Sequence, residues 1–475
     1  MTSESVLDIF KEITTIPRES GHEGPITAWL TEWAVRRGLE CKVDHIGNVL
    51  IVREAAPGKE NVPTIVLQAH QDMVCEKNPG VEHDFAKDPI NYVIEDGWMI
   101  AKDTTLGADD GIGIAACLAL LEDKAPTGKI ECLFTISEET GMDGAMELKP
   151  GFFEGKTLIN LDSEDEGQLF IGCAGGLNTS AVFRIAHEPV RKKGTIVRVH
   201  CGGGIGGHGG DDINKGRANT VQLLARFLYS RLDSGFQLVS INGGGKPNAI
   251  ARNSEAILCV DDPEAMEKAA EQYNADIKEE FHVTDPKVFC TVREIEDKPL
   301  KAIRKDHAER IITALFACPH GMQAMSQDIE GLVQTSTNLA SVKKEGDEII
   351  VTTSQRSSVE SKKEDACDHV SSVFYATEAA EVTGSDGYPG WEPNPKSKVL
   401  DLIVEAYHNV FHQEPVVKAI HAGLECGLFS QKYPDLDMVS FGPTLRGVHS
   451  PDEKLEIATV QKCWDLIVEF FRILK

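Results

Sequence analysis

The chain has 475 residues, with 75 Asp plus Glu against 48 Lys plus Arg and a formal net charge of −27. The length suits two or three domains, and a surface this negative repels phosphate backbones and anionic headgroups, which argues against nucleic-acid and membrane-surface binding. No apolar run nears the ~20 residues of a membrane helix, the start MTSESVLDIFKEI lacks the basic and apolar regions of a signal peptide, and the 12 scattered Cys form no C-x-x-C pair, so a cytoplasmic protein with reduced thiols is expected.

Residues 1–40 read as helical, with Val6, Ile9, Phe10 and Ile13 on one face. CKVDHIGNVLIVRE (41–54) alternates and turns like a hairpin. PTIVLQAHQDMV (63–74) opens as a β-branched run buried on both faces. LGADDGIGIAACLALLED (106–123) is a loop leading into an Ala/Leu-rich helix. KIECLFTISEE (129–139) and KTLINLDSEDEG (156–167) are further buried strands with acidic ends. The alternation of strands with helices predicts an α/β domain built on a central, mostly parallel sheet.

The texture changes near residue 187. A strand and a Gly-rich loop (195–210) precede a helix over 217–232, a strand at 255–260, an amphipathic helix over 263–281, a strand at 348–358 and a helix from Lys362 to Thr377. After a turn-rich connector (383–397), a helix (399–411), a strand (437–443) and a last helix (454–474) resemble the first block. The expected organisation is a discontinuous catalytic domain, 1–186 and 385–475, interrupted by an inserted α+β domain over 187–384.

Chemistry concentrates at the strand ends. His70 and Asp72 stand two apart at the end of a buried strand, so they share a face and look into the cleft where open α/β sheets bind ligands. Asp109 and Asp110 sit between glycines that allow unusual backbone angles. Glu138 and Glu139 end a third run, where one carboxylate can bind metal and the other handle a proton. Asp162 ends a fourth, and His449 lies in a loop after a fifth. Taken singly, each is also an ordinary strand end, helix cap or exposed loop residue. Together they form a mixed His/carboxylate set that suits two ions of zinc, manganese or cobalt. Spacing alone does not separate the roles of Glu138 and Glu139.

Gly204 to Gly209 also fits G-x-G-x-x-G after a strand. Asp211 and Asp212 would set negative charge where a pyrophosphate must sit, and the next helix starts too late, so dinucleotide binding is not expected.

The blocks VLQAHQDMV, TTLGADDGIG, SEETGMDGA, LINLDSEDEG, GCAGG, NAIAR, GYPGW, HAGLECGLF and GPTLRGVHSPDE, in this order along nearly the whole chain, resemble the aminoacyl-histidine (Xaa-His, cytosol non-specific) dipeptidase family. That family is a branch of the di-zinc exopeptidases related to aminoacylases, tripeptidases and carnosinases. The resemblance implies that His70, Asp109 and Asp162 hold one zinc and that Asp109, Glu139 and His449 hold the other. It makes Glu138 the general base for a bridging hydroxide and Asp72 the carboxylate that orients His70. It makes the inserted domain a lid, in which His208 stabilises the oxyanion and Asn248 and Arg356 grip the substrate carboxylate. Gly209 departs from the family pattern, which has Ser there, and this implies a looser loop. The implied reaction is hydrolysis of small peptides with a free N-terminus, Xaa-His above all. A hydrolase of N-acyl amino acids and a non-catalytic binding protein are the alternatives, and a homodimer is compatible with the resemblance.

Overall fold

The computed structural model describes residues 3–296, 299–384 and 387–475. They form two compact units. The first takes the chain up to Gly172 with Trp391–Ala419 and Leu424–Lys475, and the second takes Cys173–Gly390 with Ile420–Gly423.

The first unit carries an eight-stranded sheet in the order Glu40–Val43, Val49–Arg53, Ile130–Thr135, Ile65–His70, Thr157–Asn160, Asp437–Ser440, Gln168–Cys173, Val416–Ile420. Its four central strands, Ile130–Thr135 to Asp437–Ser440, run parallel. Val49–Arg53 and Gln168–Cys173 flank them antiparallel. The central strands are apolar and buried on both faces, as parallel strands covered by helices must be. Helix Ala108–Glu122 packs on Ile65–His70 and against helix Ser3–Ile13, and its Ala, Gly and Leu residues are buried nearly all round. Because the central strands share one direction and one register, their C-terminal ends line up. His70 lies opposite Thr135, and Gln68 opposite Asn160.

The segment before Ala108, for which no strands were expected, holds a hairpin, Tyr92–Glu95 with Trp98–Ala101. Its two-residue turn is Asp96-Gly97, both at positive φ (50° and 83°), the conformation that matches the twist of paired strands. Lys454–Glu456 and Leu445–Arg446 extend this small sheet, so the last helix begins at Ile457 rather than at Lys454.

The second unit is built on a nine-stranded sheet whose described pairings are all antiparallel. Helices Thr220–Tyr229, Pro263–Glu280, Lys305–Ala317 and Glu360–Ala376 contribute to its core, which gathers Val197, Leu224, Leu258, Ile277, Ile312 and Phe374. Local signals start two of these helices. The Asn219 side chain accepts the amides of Val221 and Gln222, and Asp262 caps the helix that opens with Pro263. The unit begins earlier than the expected residue 187. Strand Gly175–Arg184 pairs along its full length with Glu348–Ser357, so its hydrogen bonds lie in this sheet. Ser385 and Asp386, at the other expected boundary, lie outside the described residues.

Candidate active site

Within the first unit, residues from five separate stretches converge at the C-terminal edge of the parallel strands. His70 ends its strand and is fully buried. Its Nε2 lies 3.0 Å from Asp109 Oδ1 and 3.5 Å from Asp162 Oδ1. His449, at φ 61° in its loop, places Nε2 3.2 Å from Asp109 Oδ2 and 2.8 Å from Glu139 Oε2. Asp109 thus offers one oxygen to each imidazole. His70, Asp109 and Asp162 form one group that can hold a metal ion, and Asp109, Glu139 and His449 form a second. His70 with Glu138 and Glu139 is a third.

Glu138 and Glu139 do not sit on the strand end. They open a short helical turn, Glu138–Gly141, set off by Ser137 in the left-handed region at φ 52°. Asp72 holds this turn. Its Oδ1 accepts the Glu138 amide at 3.0 Å, and its Oδ2 accepts the Glu139 amide at 3.2 Å and the Ser20 hydroxyl at 2.8 Å. Asp72 Oδ1 also lies 3.4 Å from His70 Nδ1. One buried carboxylate therefore contacts the His70 ring and both glutamate amides.

The charges crowd. Loss of water around Glu138, and then the nearby Asp162 carboxylate, raise its carboxyl well above the usual range. Burial pushes Asp162 up to about 7 against the pull of His70. Burial opposes charge on His70, but Asp162, Asp109 and Asp72 outweigh it and raise its pKa well above normal. Asp109 goes the other way. Despite its burial, the two imidazoles hold it far below the carboxylate range.

Beneath the site runs a buried polar row. Gln68 Nε2 donates to Glu425 Oε2 at 2.6 Å, Asn160 Nδ2 to Gln68 Oε1 at 2.6 Å, and Ser440 Oγ to Asn160 Oδ1 at 2.5 Å. The Thr135 hydroxyl also donates to Glu425 Oε2, at 2.7 Å. Burial pushes the Glu425 carboxyl up to about 8. Glu425, Arg18 and Glu453 escaped the sequence reading. The last lies inside the GVHSPDE block, four residues after His449, which was its one available signal.

In the second unit the other expected residues also come together. Gly210 lies between them. A Cβ built there would fall 3.2 Å from His208 Cε1 and 3.1 Å from Arg356 Cδ. His208 Nδ1 accepts the Asp211 amide at 3.1 Å. Arg356 is buried, and its Nη1 donates to the Tyr388 hydroxyl at 3.0 Å while Nε has no hydrogen-bond partner among the described residues. Asn248 is exposed, and its carbonyl accepts the Gly209 amide at 2.7 Å. The turn around it is fixed by buried Asn338, whose Nδ2 donates to the carbonyls of Pro247 and Ala249. The expectation of a looser loop at Gly209 meets a packing reason for the glycine. A Cβ there would lie 2.8 Å from Asn338 Nδ2, an atom already held by those two hydrogen bonds. Among the described residues no helix is long and apolar enough to cross a membrane.

Comparison with known proteins places the chain in a family. The chain is 36% identical to the cytosol non-specific dipeptidase of Escherichia coli (strain K12), over 99% of this chain and 98% of that one. Its structure is similar to the crystal structure of aminoacylhistidine dipeptidase from Vibrio alginolyticus, with a TM-score of 0.90 and 37% identity over 99% of this chain and 96% of that chain. The same fold is shared, at 17% identity and a TM-score of 0.59, with aminopeptidase PepT from Bacillus cereus over 99% of this chain and 98% of that one. Residues 66–472 match the model of peptidase family M20/M25/M40, and the chain belongs to that family.

Proposed function

We propose that the protein is a metal-dependent dipeptidase of the cytoplasm, acting on dipeptides with a free N-terminus and best on those ending in His. The observation that carries the metal reading is Asp109, whose two oxygens face His70 and His449 in two adjacent ligand groups. The donor set fits divalent cations. Two imidazoles and three carboxylates lie close together, and Glu139 Oε1 is buried with no hydrogen-bond partner among the described residues. His70, Asp109 and Asp162 would hold one ion and Asp109, Glu139 and His449 the other. Imidazole and carboxylate suit zinc, and also manganese or cobalt. The dipeptide reading is supported by the names of the two relatives above 30% identity.

When bound, such ions supply Lewis-acid polarisation of the scissile carbonyl and lower the pKa of water. The remaining work falls to side chains. Glu138 takes the proton of the attacking water on its carboxylate and returns it to the leaving amine, and Asp72 holds the Glu138 amide while it does so. His208, held at Nδ1 by Asp211, offers its other ring nitrogen, Nε2, to the developing oxyanion. Arg356 and Asn248 bind the substrate carboxylate, the guanidinium through charge-assisted hydrogen bonds.

The test is release of free His from Ala-His and carnosine, with Leu-Gly cleavage and N-acetyl-histidine as comparisons. Each is assayed with metal-stripped protein and after reloading with zinc or manganese. Metal-dependent turnover fastest on Ala-His is expected. Turnover of N-acetyl-histidine alone would replace the dipeptidase reading by an N-acyl amino acid hydrolase.

A further inference from the structure

We propose that Glu453 is a positioning residue for the metal pair, whose carboxylate locks the loop carrying Asp109 to the loop carrying His449. The inference rests on the metal reading above and deepens it.

Glu453 is a 2% exposed carboxylate, and among the described residues no ion pair is made to it. It is satisfied instead by successive backbone amides. Oε2 accepts from Leu106 at 2.7 Å and Gly107 at 3.0 Å, and Oε1 accepts from Ala108 at 2.7 Å and Asp109 at 3.4 Å. A carboxylate has about four acceptor positions, and all are used on one stretch of backbone that ends at Asp109. Burying such a charge is tolerable only with this degree of hydrogen bonding.

The carbonyl side of the same loop is held by Arg18. This buried guanidinium donates through Nη2 to the Gly107 carbonyl and through Nη1 to the carbonyls of Gln71 and Asp72, at 3.1 and 2.7 Å. The grip is close enough to require glycine. Gly107 has φ 69°, and a Cβ there would lie 2.6 Å from Arg18 Nη2. The other end is equally tight. Glu453 donates its amide to the Ser450 carbonyl at 3.0 Å, the Ser450 hydroxyl donates to the Gly447 carbonyl at 2.7 Å, and a Cβ on Gly447 would meet the Asp452 carbonyl at 2.7 Å. His449 lies inside this closed turn, so Glu453 fixes the separation of His449 and Asp109 through their backbones. A residue that would be shared by two ions would need such support, because both of its oxygens would have to be held in place.

The experiment titrates cobalt(II) into metal-stripped wild-type protein and Glu453→Gln, reading the cobalt absorption spectrum, with circular dichroism of both metal-free proteins as the control for folding. A glutamine keeps the shape but offers one acceptor oxygen, and its NH2 faces amide donors. We expect unchanged circular dichroism, a cobalt affinity lower by about 10–100-fold, as for other residues supporting metal ligands, an altered cobalt spectrum, and a kcat reduced far more than KM is raised. Should Glu453→Gln fail to fold, Glu453→Asp, which keeps the charge but withdraws it by one methylene, carries the same expectation. A folded variant with wild-type cobalt affinity and spectrum would overturn the inference alone. Wild-type protein that binds no cobalt would overturn the metal reading and this inference with it.

Discussion

Glu138 and Glu139 are neighbours in sequence, but their surroundings differ. Glu139 Oε2 is 2.8 Å from His449 Nε2, within a group that can hold a cation. Glu138 has its amide on Asp72 and its carboxyl pushed upward by burial and by Asp162, so it holds a proton more readily than an ordinary glutamate. A group that binds and releases a proton is suited to base and acid roles in one cycle. Glu138→Gln should therefore keep the metal stoichiometry of the wild type, measured by elemental analysis, while kcat falls by about 10²–10⁴-fold. Full turnover in that variant would remove Glu138 from the chemistry, and loss of a metal would make it a ligand instead. Spacing in the sequence carried the identity of both carboxylates but not this division, which only the family resemblance implied, because it depends on His449 beside Glu139 and Asp162 near Glu138, both brought in from other elements.

At the level of elements, the site is the consequence of parallel strands in register. Continuous apolar runs ending in His or Asp are visible in the sequence because burial on both faces demands them, and so two of the five candidate ligands, His70 and Asp162, stand out in this way. What supports them was less legible. Gln68, Asn160 and Ser440 sit inside apolar runs read as strands, but the partners that join them into a chain of buried hydrogen bonds with Glu425 come from remote elements and could not be read from the sequence. The strand Gly175–Arg184 was assigned to the wrong unit for the same reason, since its partner Glu348–Ser357 is remote in sequence. The Asp96-Gly97 turn is the opposite case, a local signal that was present and went unread. The buried row makes a stability prediction. Glu425→Ala removes the short acceptor of Gln68 and Thr135, leaving Gln68 Nε2 with only Thr135 Oγ1 at 3.2 Å and the Thr135 hydroxyl with only the Ala69 carbonyl at 3.5 Å, and a buried donor left unpaired costs about 1–3 kcal/mol. Urea unfolding should show a loss of that order, whereas Glu425→Gln, which keeps an acceptor oxygen, should lose much less. Equal losses would mean that volume rather than hydrogen bonding sets the cost.

On the scale of the whole molecule, the two units carry different chemistry. The groups that can hold a metal all lie in the first unit among the described residues, whereas His208, Asn248 and Arg356 belong to the second. Each unit has its own sheet, so unfolding need not be a single two-state event. A ligand stabilises only what it binds in the folded state, by about 2.7 kcal/mol at a free concentration one hundred times Kd. For a unit of this size that corresponds to a rise in Tm of roughly 5–10 °C. Scanning calorimetry of stripped and zinc- or manganese-loaded protein should then resolve a transition that moves up with metal and another that stays. A metal-induced shift shared equally by the whole endotherm would show that the units unfold together, and that cations bound by one unit stabilise the other through their coupling. No shift at saturating metal would remove the cations from the first unit and, with them, the physical basis of the proposed hydrolysis.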